Sequence, residues 1–493
     1  MAAAEEEFEV SAVSQGGNGD ESRYSDRIGS YSKGLPHNSL GEVEPGAYRR
    51  FLEAVERQST EAFENVPLGG DQALVNPMAG VAFDLEGVDI QKLACPASPE
   101  LASATRAAEM VELYWMALLR DVNFSAYETD ARVTAAAQEL SGLTAFSGPR
   151  DGSGRVTGIN LFRGFASSDR IGPYISQLFL TPFAYGQYLM DGRITTFAAG
   201  ADYLIEPGAW LACQNGQGPF GKPKLDGEPR YFRNGRDLAA YVHSDQVCQA
   251  FYNAGLRLYA LGAPANPGNP YLRLSRQTGF ATFGPPHFLT LQAEAALRAM
   301  KAVFFQKWFV HRALRPEAYG GLVHMSRTGQ ASYPLDPSVL NSQALAETAA
   351  RHGSFLLPQA FPEGCPQHPS YTQAHGGVAG ACATILKAAF DGTANWESLA
   401  GGLMESSSDG LSLVRHSGEN DSLATVNSEI EKLCGNIALA RNFAGVHWRS
   451  DYVQGLLLGE AMALTILADQ REIYGEQFRG FEISRFDGRV VTV

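Results

Sequence analysis

The sequence predicts a mainly helical, all-α protein: paired helical bundles around one core, with short β-hairpin or loop insertions. Three observations predict it. Apolar residues recur at helical spacing in six long stretches, and Gly/Pro/Ser-rich segments such as PQAFPEGCPQHPSYTQ separate the later ones. No repeat of 20–50 residues interrupts the pattern.

Residues 1–30 are polar and Gly/Ser-rich and read as a flexible N-terminal arm, leaving 31–493 as a single helical domain. Ser98-Pro99-Glu100 reads as an N-cap, a first-turn proline and a first-turn acid. Leu101, Ala104, Ala108, Val111, Trp115 and Leu118 then follow at helical spacing to Arg120. The stretch 158–213 mixes β-branched, aromatic and Gly residues, which suits a short hairpin or irregular loops. Residues 236–261 and 288–313 are long apolar-periodic core helices, the second ended by Arg315-Pro316. Helices follow at 376–390, 428–441 and 449–470.

Lys plus Arg number 39 and Asp plus Glu 53 in 493 residues, a formal net charge of −14. Such a surface repels phosphate backbones and acidic membranes, so neither nucleic acid nor a membrane is an expected partner. The apolar stretches 377–390 and 455–469 are broken by Lys387 and Glu460 and fall short of a bilayer span. The N-terminus shows neither a basic region nor an apolar run, so the expected compartment is the cytoplasm. Six cysteines are scattered without a CxxC pair, arguing against a disulfide framework or a zinc ribbon. GxxxxGK[ST], HExxH, GxSxG and an EF-hand loop are absent, and the one SxxK, Ser30 to Lys33, stands without a supporting motif.

Seven of the ten histidines fall between residues 311 and 447, so the site is sought in 300–455. Lys307 lies near a helix end and Arg315 follows eight positions later, just before a proline, so both cations can aim at one point. In HPSYTQAHGG, Thr372 can cap a helix whose first turn carries Gln373, Ala374 and His375, giving free N–H groups with an imidazole beside them. In ARNFAGVHWRSD, Arg441 ends a helix, Gly445 turns the chain and His447 opens the next helix. Asp451, four residues on, can orient that imidazole. Three fixed cations, two imidazoles and a helix start suit a tetrahedral or trigonal-bipyramidal oxyanion.

These residues resemble the vanadium-dependent haloperoxidases, a helical family sharing its anion pocket with an acid phosphatase superfamily. Lys307 with Arg315-Pro316, His375, Arg441, and Gly445-Val446-His447 with Asp451 match the family pattern. HPSY with His368, KGLPH, AFDLEG, NLFRG and GPYISQLF are similar to the algal bromoperoxidase branch, so the resemblance covers nearly the whole chain. It implies that Lys307, Arg315 and Arg441 neutralise vanadate, that His447 is its apical ligand, that His375 is the acid/base group and that His368 lies near the halide. It also implies a homodimer.

The pattern departs at its centre, where the family's Ser-Gly-His is Gln373-Ala374-His375. A longer side chain replaces a small hydroxyl, and a methyl stands where the anion approaches the main chain. The expectation is therefore a vanadate-independent enzyme, with no cofactor and no metal. Similar to some bacterial meroterpenoid-pathway relatives, it would rearrange an α-hydroxyketone of a prenylated naphthoquinone-type intermediate by a 1,2-shift. The alternatives are an active vanadium-dependent haloperoxidase halogenating an electron-rich substrate, or a non-catalytic binding or scaffold protein.

Overall fold

The computed structural model describes residues 15–218 and 220–493. Eight helices frame the core: α1 (Ala104–Leu118), α2 (Gly235–Ser244), α3 (Gln249–Ala260), α4 (Pro285–Phe305), α5 (Pro316–Arg327), α6 (Ala374–Ala389), α7 (Val426–Phe443) and α8 (Arg449–Ile473). Central α6 is buried along nearly its whole length, and α3, α4, α7 and α8 pack around it. Among the described residues, strands occur as three antiparallel hairpins, the first pairing Phe183–Tyr185 with Tyr188–Met190 inside the stretch expected to hold one.

The seam between α6 and α8 is built on small residues. A Cβ at Gly459 would stand 1.9 Å from the Gly377 carbonyl oxygen, and one at Gly380 would stand 2.0 Å from that of Leu456. Only hydrogen there lets the backbones approach this closely, and the approach brings the N-terminal ends of α6 and α8 side by side. α8 is apolar and long enough by composition to span a membrane, yet it packs on α6, and its buried Glu460 accepts the Phe486 N–H at 2.8 Å.

Several expected boundaries move, each for a local reason. Within the expected N-terminal arm, residues 1–14 lie outside the described residues, and 15–30 pack onto the body. Asp20 is buried and accepts the Leu101 N–H at 2.7 Å, and Glu21 pairs with Arg312 at 2.6 Å. That use of the Leu101 N–H also keeps 98–103 out of α1, which is capped instead by Ser103, its Oγ accepting from Arg106 N at 3.1 Å. The expected helix 236–261 is two helices, because Asp245 adopts extended backbone (ψ 151°) and turns its carboxylate away.

The expected helix 288–313 begins at Pro285 and widens into a π-helix over Gln306–His311. It ends where Arg312 takes the left-handed conformation (φ 41°), its N–H returning to Lys307 O at 3.0 Å. Arg315 is extended (ψ 151°), as a pre-proline residue must be, and Pro316 opens α5. Thr372 does not cap α6. Gln373 is the N-cap residue, makes no side-chain cap, and is anchored by its N–H to Asp451 O at 2.9 Å. His447 stands just before α8 instead of opening it, with Trp448 as N-cap and Asp451 accepting the Trp448 N–H at 3.2 Å.

Candidate active site

The π-helix sets the first cation. Inserting a residue into the α4 register rotates Lys307 inward, and π-bulges recur at functional sites for this reason. Lys307 is fully buried, its Nζ donating to Pro369 O at 2.8 Å and Ser370 O at 2.6 Å. Arg315 lies beside it, donating from Nε to His368 O at 3.0 Å and from Nη1 to Val446 O at 2.7 Å. Its remaining contacts are with imidazoles: Nη1 to His447 Nε2 at 2.9 Å and Nη2 to His368 Nδ1 at 2.9 Å.

A guanidinium only donates, so these contacts assign the tautomers. His447 Nε2 is an acceptor with its lone pair toward the cations, and Nδ1 carries the proton to Asp451 Oδ2 at 2.7 Å. Asp451 is itself fixed by the Ser370 hydroxyl at 2.5 Å. His368 Nδ1 lies between the Arg315 guanidinium at 2.9 Å and the Pro369 carbonyl at 3.0 Å. As acceptor to the obligate donor Arg315 it keeps its proton on Nε2, and the Pro369 approach is then not a hydrogen bond, while the ring tilts against Phe304 at 5.4 Å. Burial, then the charge of Arg315, pushes the His447 pKa well below the usual imidazole range, so the ring is neutral at physiological pH.

Arg441, in the last turn of α7, donates from Nη1 to Val242 O at 2.9 Å, and its guanidinium lies over Phe361, 5.3 Å from the ring centre. Its Nε has no partner among the described residues. Burial lowers the Arg441 pKa to about 10, and burial followed by Arg315 pushes Lys307 well below its usual value. Arg315 lowers both Arg441 and Lys307, and Arg441 also lowers Lys307, so the three buried cationic side chains lie close enough to repel one another, a repulsion that an anion would relieve.

His375 stands one turn into α6, with Nε2 3.1 Å from Asp245 Oδ1. Its side chain keeps 13% of its surface exposed, and its link to the cations runs through Asp245, whose carboxyl is lowered by both His375 and Arg441. Burial alone would raise the Asp245 carboxyl, but His375 and then Arg441 hold it below its usual value. A second pair, His243 Nε2 and Glu363 Oε1 at 2.6 Å, lies one layer out, with His243 tilted over Phe361 at 4.4 Å.

The two departures in the motif behave differently. Gln373 is fully buried and turns away into the α6–α7 seam, its Nε2 donating to Ala438 O at 3.1 Å and Asn442 Oδ1 at 3.4 Å. Ala374 keeps its backbone N–H, and the N–H groups of Ala374, His375 and Gly376 meet no acceptor among the described residues. The structure thus brings Lys307, Arg315, His368, Arg441, His447 and Asp451 together, sets His375 beside Asp245, and removes the Gln373 amide from the cation side.

Asp245, His243 and Glu363 were not singled out from sequence, nor was the pair behind Arg315. There Lys33 Nζ lies 2.9 Å from Glu317 Oε1 and donates to Glu363 O at 2.9 Å and Cys365 O at 2.6 Å, with both side chains buried. Glu317 Oε2 also accepts the Cys365 N–H at 2.6 Å, tying the start of α5 to the loop that leads to His368. Among the described residues no group of three or more His, Cys, Asp or Glu is placed to hold a metal cation.

The buried imidazoles make acid the weak direction for this fold. Burial lowers His37 and His311 from 6.5 to about 4. Between those values the unfolded chain takes up protons that the folded chain refuses. Stability is therefore retained above pH 6.5 and falls toward pH 4, by up to about 1.4 kcal/mol per pH unit for each imidazole. Urea midpoints should be level above pH 7 and drop below 6.5; a level midpoint from pH 7 to 5 would contradict this.

No family model matches the chain. It is 35% identical over 515 residues to a vanadium-dependent bromoperoxidase of Ascophyllum nodosum, covering 100% of this chain and 91% of the relative. A vanadium-dependent bromoperoxidase of Corallina pilulifera is 34% identical over 550 residues, covering 94% of this chain and 91% of its own. Among solved structures, the homohexameric second vanadate-dependent bromoperoxidase of Ascophyllum nodosum superposes with a TM-score of 0.92 at 30% identity, covering 99% of this chain and 88% of that one.

Proposed function

The chain belongs to the vanadium-dependent haloperoxidase family, and we propose that it is a vanadate-binding haloperoxidase, using peroxide to oxidise bromide and halogenate a small electron-rich substrate. The observation that carries this reading is the clustering of the buried Lys307, Arg315 and Arg441 side chains around the His447 imidazole, whose Nε2 lone pair faces Arg315. The residues that would hold an oxyanion are these three cations, with the unpartnered Arg441 Nε, the N–H groups of residues 374–376 and His447 Nε2.

When bound, vanadate would supply the Lewis acidity that activates peroxide toward halide. The chain's own residues do the rest. Asp451 holds the proton on His447 Nδ1 and so keeps a lone pair on Nε2, which accepts from Arg315 at 2.9 Å and would have to exchange that contact for a bound anion. Asp245 accepts from His375 Nε2, which leaves His375 Nδ1 to take the proton of incoming peroxide and return it later. His368, its proton on Nε2, is the donor available to a halide. The amide of Gln373, committed to α7, contributes nothing to the anion. A lost donor to a charged oxygen lowers affinity by about one to two decades.

A second reading rests on that same absence. Without vanadate or any other cofactor, His375 could remove the hydroxyl proton of an α-hydroxyketone on a prenylated naphthoquinone-type intermediate. Arg315, Arg441 and Lys307 would then hold the developing oxyanion through a 1,2-shift. Self-association belongs to the proposal in either case, supported by the homohexameric relative. A bromination assay on a phenol probe separates the readings. Product that requires vanadate, peroxide and bromide together is expected. No bromination at millimolar vanadate, with metal-free conversion of an α-hydroxyketone, would establish the second reading instead.

A further inference from the structure

We propose that Thr372 replaces the lost hydroxyl, donating from Oγ1 to the bound oxyanion in place of the side chain that Gln373 withdrew. The inference rests on the vanadate reading. Thr372 is fully buried and its Oγ1 has no partner among the described residues. An unpaired buried hydroxyl is costly, and a ligand oxygen would relieve that cost.

The neighbouring chain places Thr372 in the wall of the anion site. The carbonyls of Pro369 and Ser370 hold Lys307, and the Ser370 hydroxyl holds Asp451. The Gln373 N–H is fixed on Asp451 O at 2.9 Å, and the free N–H groups of 374–376 follow directly. Other buried polar atoms of the segments that carry the site also lack partners among the described residues: Gln373 Oε1, Arg441 Nε, Asn442 Nδ2 and Asp451 Oδ1. A threonine hydroxyl also suits the task, because its β-branch restricts χ1 and an oxyanion oxygen only accepts.

The test is calorimetric titration of vanadate into the full chain as wild type, Thr372→Val, Thr372→Ser and Thr372→Ala, with thermal melts of each anion-free protein. Thr372→Val keeps the shape and removes the donor, so binding should weaken about 10- to 100-fold. Thr372→Ser should stay within about threefold, and Thr372→Ala should weaken like the valine variant. The anion-free Thr372→Val protein should melt no lower than wild type, since its hydroxyl bonds to nothing there, whereas a structural role would lower it. Wild-type binding that Thr372→Val leaves within threefold would overturn the assignment while the vanadate reading stands. Absence of wild-type binding would overturn both.

Discussion

His375→Ala is expected to lower turnover by about 10²–10⁴-fold, the usual worth of a positioned general acid–base group, while vanadate still binds. The separation follows from the geometry. His375 is partly exposed and tied to Asp245, whereas on the proposed reading His447 and the three buried cations would hold the anion. Asp245→Asn should act in the same direction with a smaller effect, because it replaces the carboxylate that orients the ring with a neutral amide. Its signature is a lower turnover at unchanged vanadate affinity and unchanged melting temperature, which loss of packing alone would not produce. Full activity in His375→Ala would remove this residue from the reaction.

Glu317→Met is expected to cost about 3–5 kcal/mol of stability, since it strands the Lys33 ammonium in the interior. The combined Lys33→Met and Glu317→Met change should recover only part of that loss, because it removes the stranded charge but leaves the Cys365 N–H and the Glu363 and Cys365 carbonyls without these partners. Urea midpoints of the two single variants and the double variant close the cycle, and additive losses would show that the pair is not coupled. The consequence reaches the site. Glu317 is two residues from Arg315 and grips the Cys365 N–H at 2.6 Å, so the single variant should also slacken the guanidinium that touches His447 and His368.

The residues legible in the sequence are those whose chemistry is local. Lys307 and Arg315 flank one helix end, and His447 with Asp451 is a four-residue spacing that closes as a 2.7 Å hydrogen bond. The helices were legible for the same reason, since apolar periodicity is a short-range signal. The residues that were not legible belong to long-range pairs: Asp245 lies 130 residues from the legible His375, His243 and Glu363 are 120 apart, and Lys33 and Glu317 284. Each of these newly found partners alone looks like an ordinary polar position in a helix or loop. The π-turn at Gln306–His311 was hidden because its apolar pattern also fits an α-helix, and the break at Asp245 because the apolar residues on both sides continue the helical period. Gln373 was recognisable as a departure from the motif, but only its packing against Ala438 and Asn442 reveals that it leaves the anion space open.

The central claim is that Lys307, Arg315, Arg441 and His447 form one oxyanion site, and titration of vanadate into wild type and His447→Ala measures it most directly. The account predicts saturable binding of one vanadate per chain to the wild type, and loss of that binding when the apical imidazole is removed. Wild type that takes up no vanadate at millimolar concentration, or His447→Ala that binds it as tightly as wild type, would contradict it.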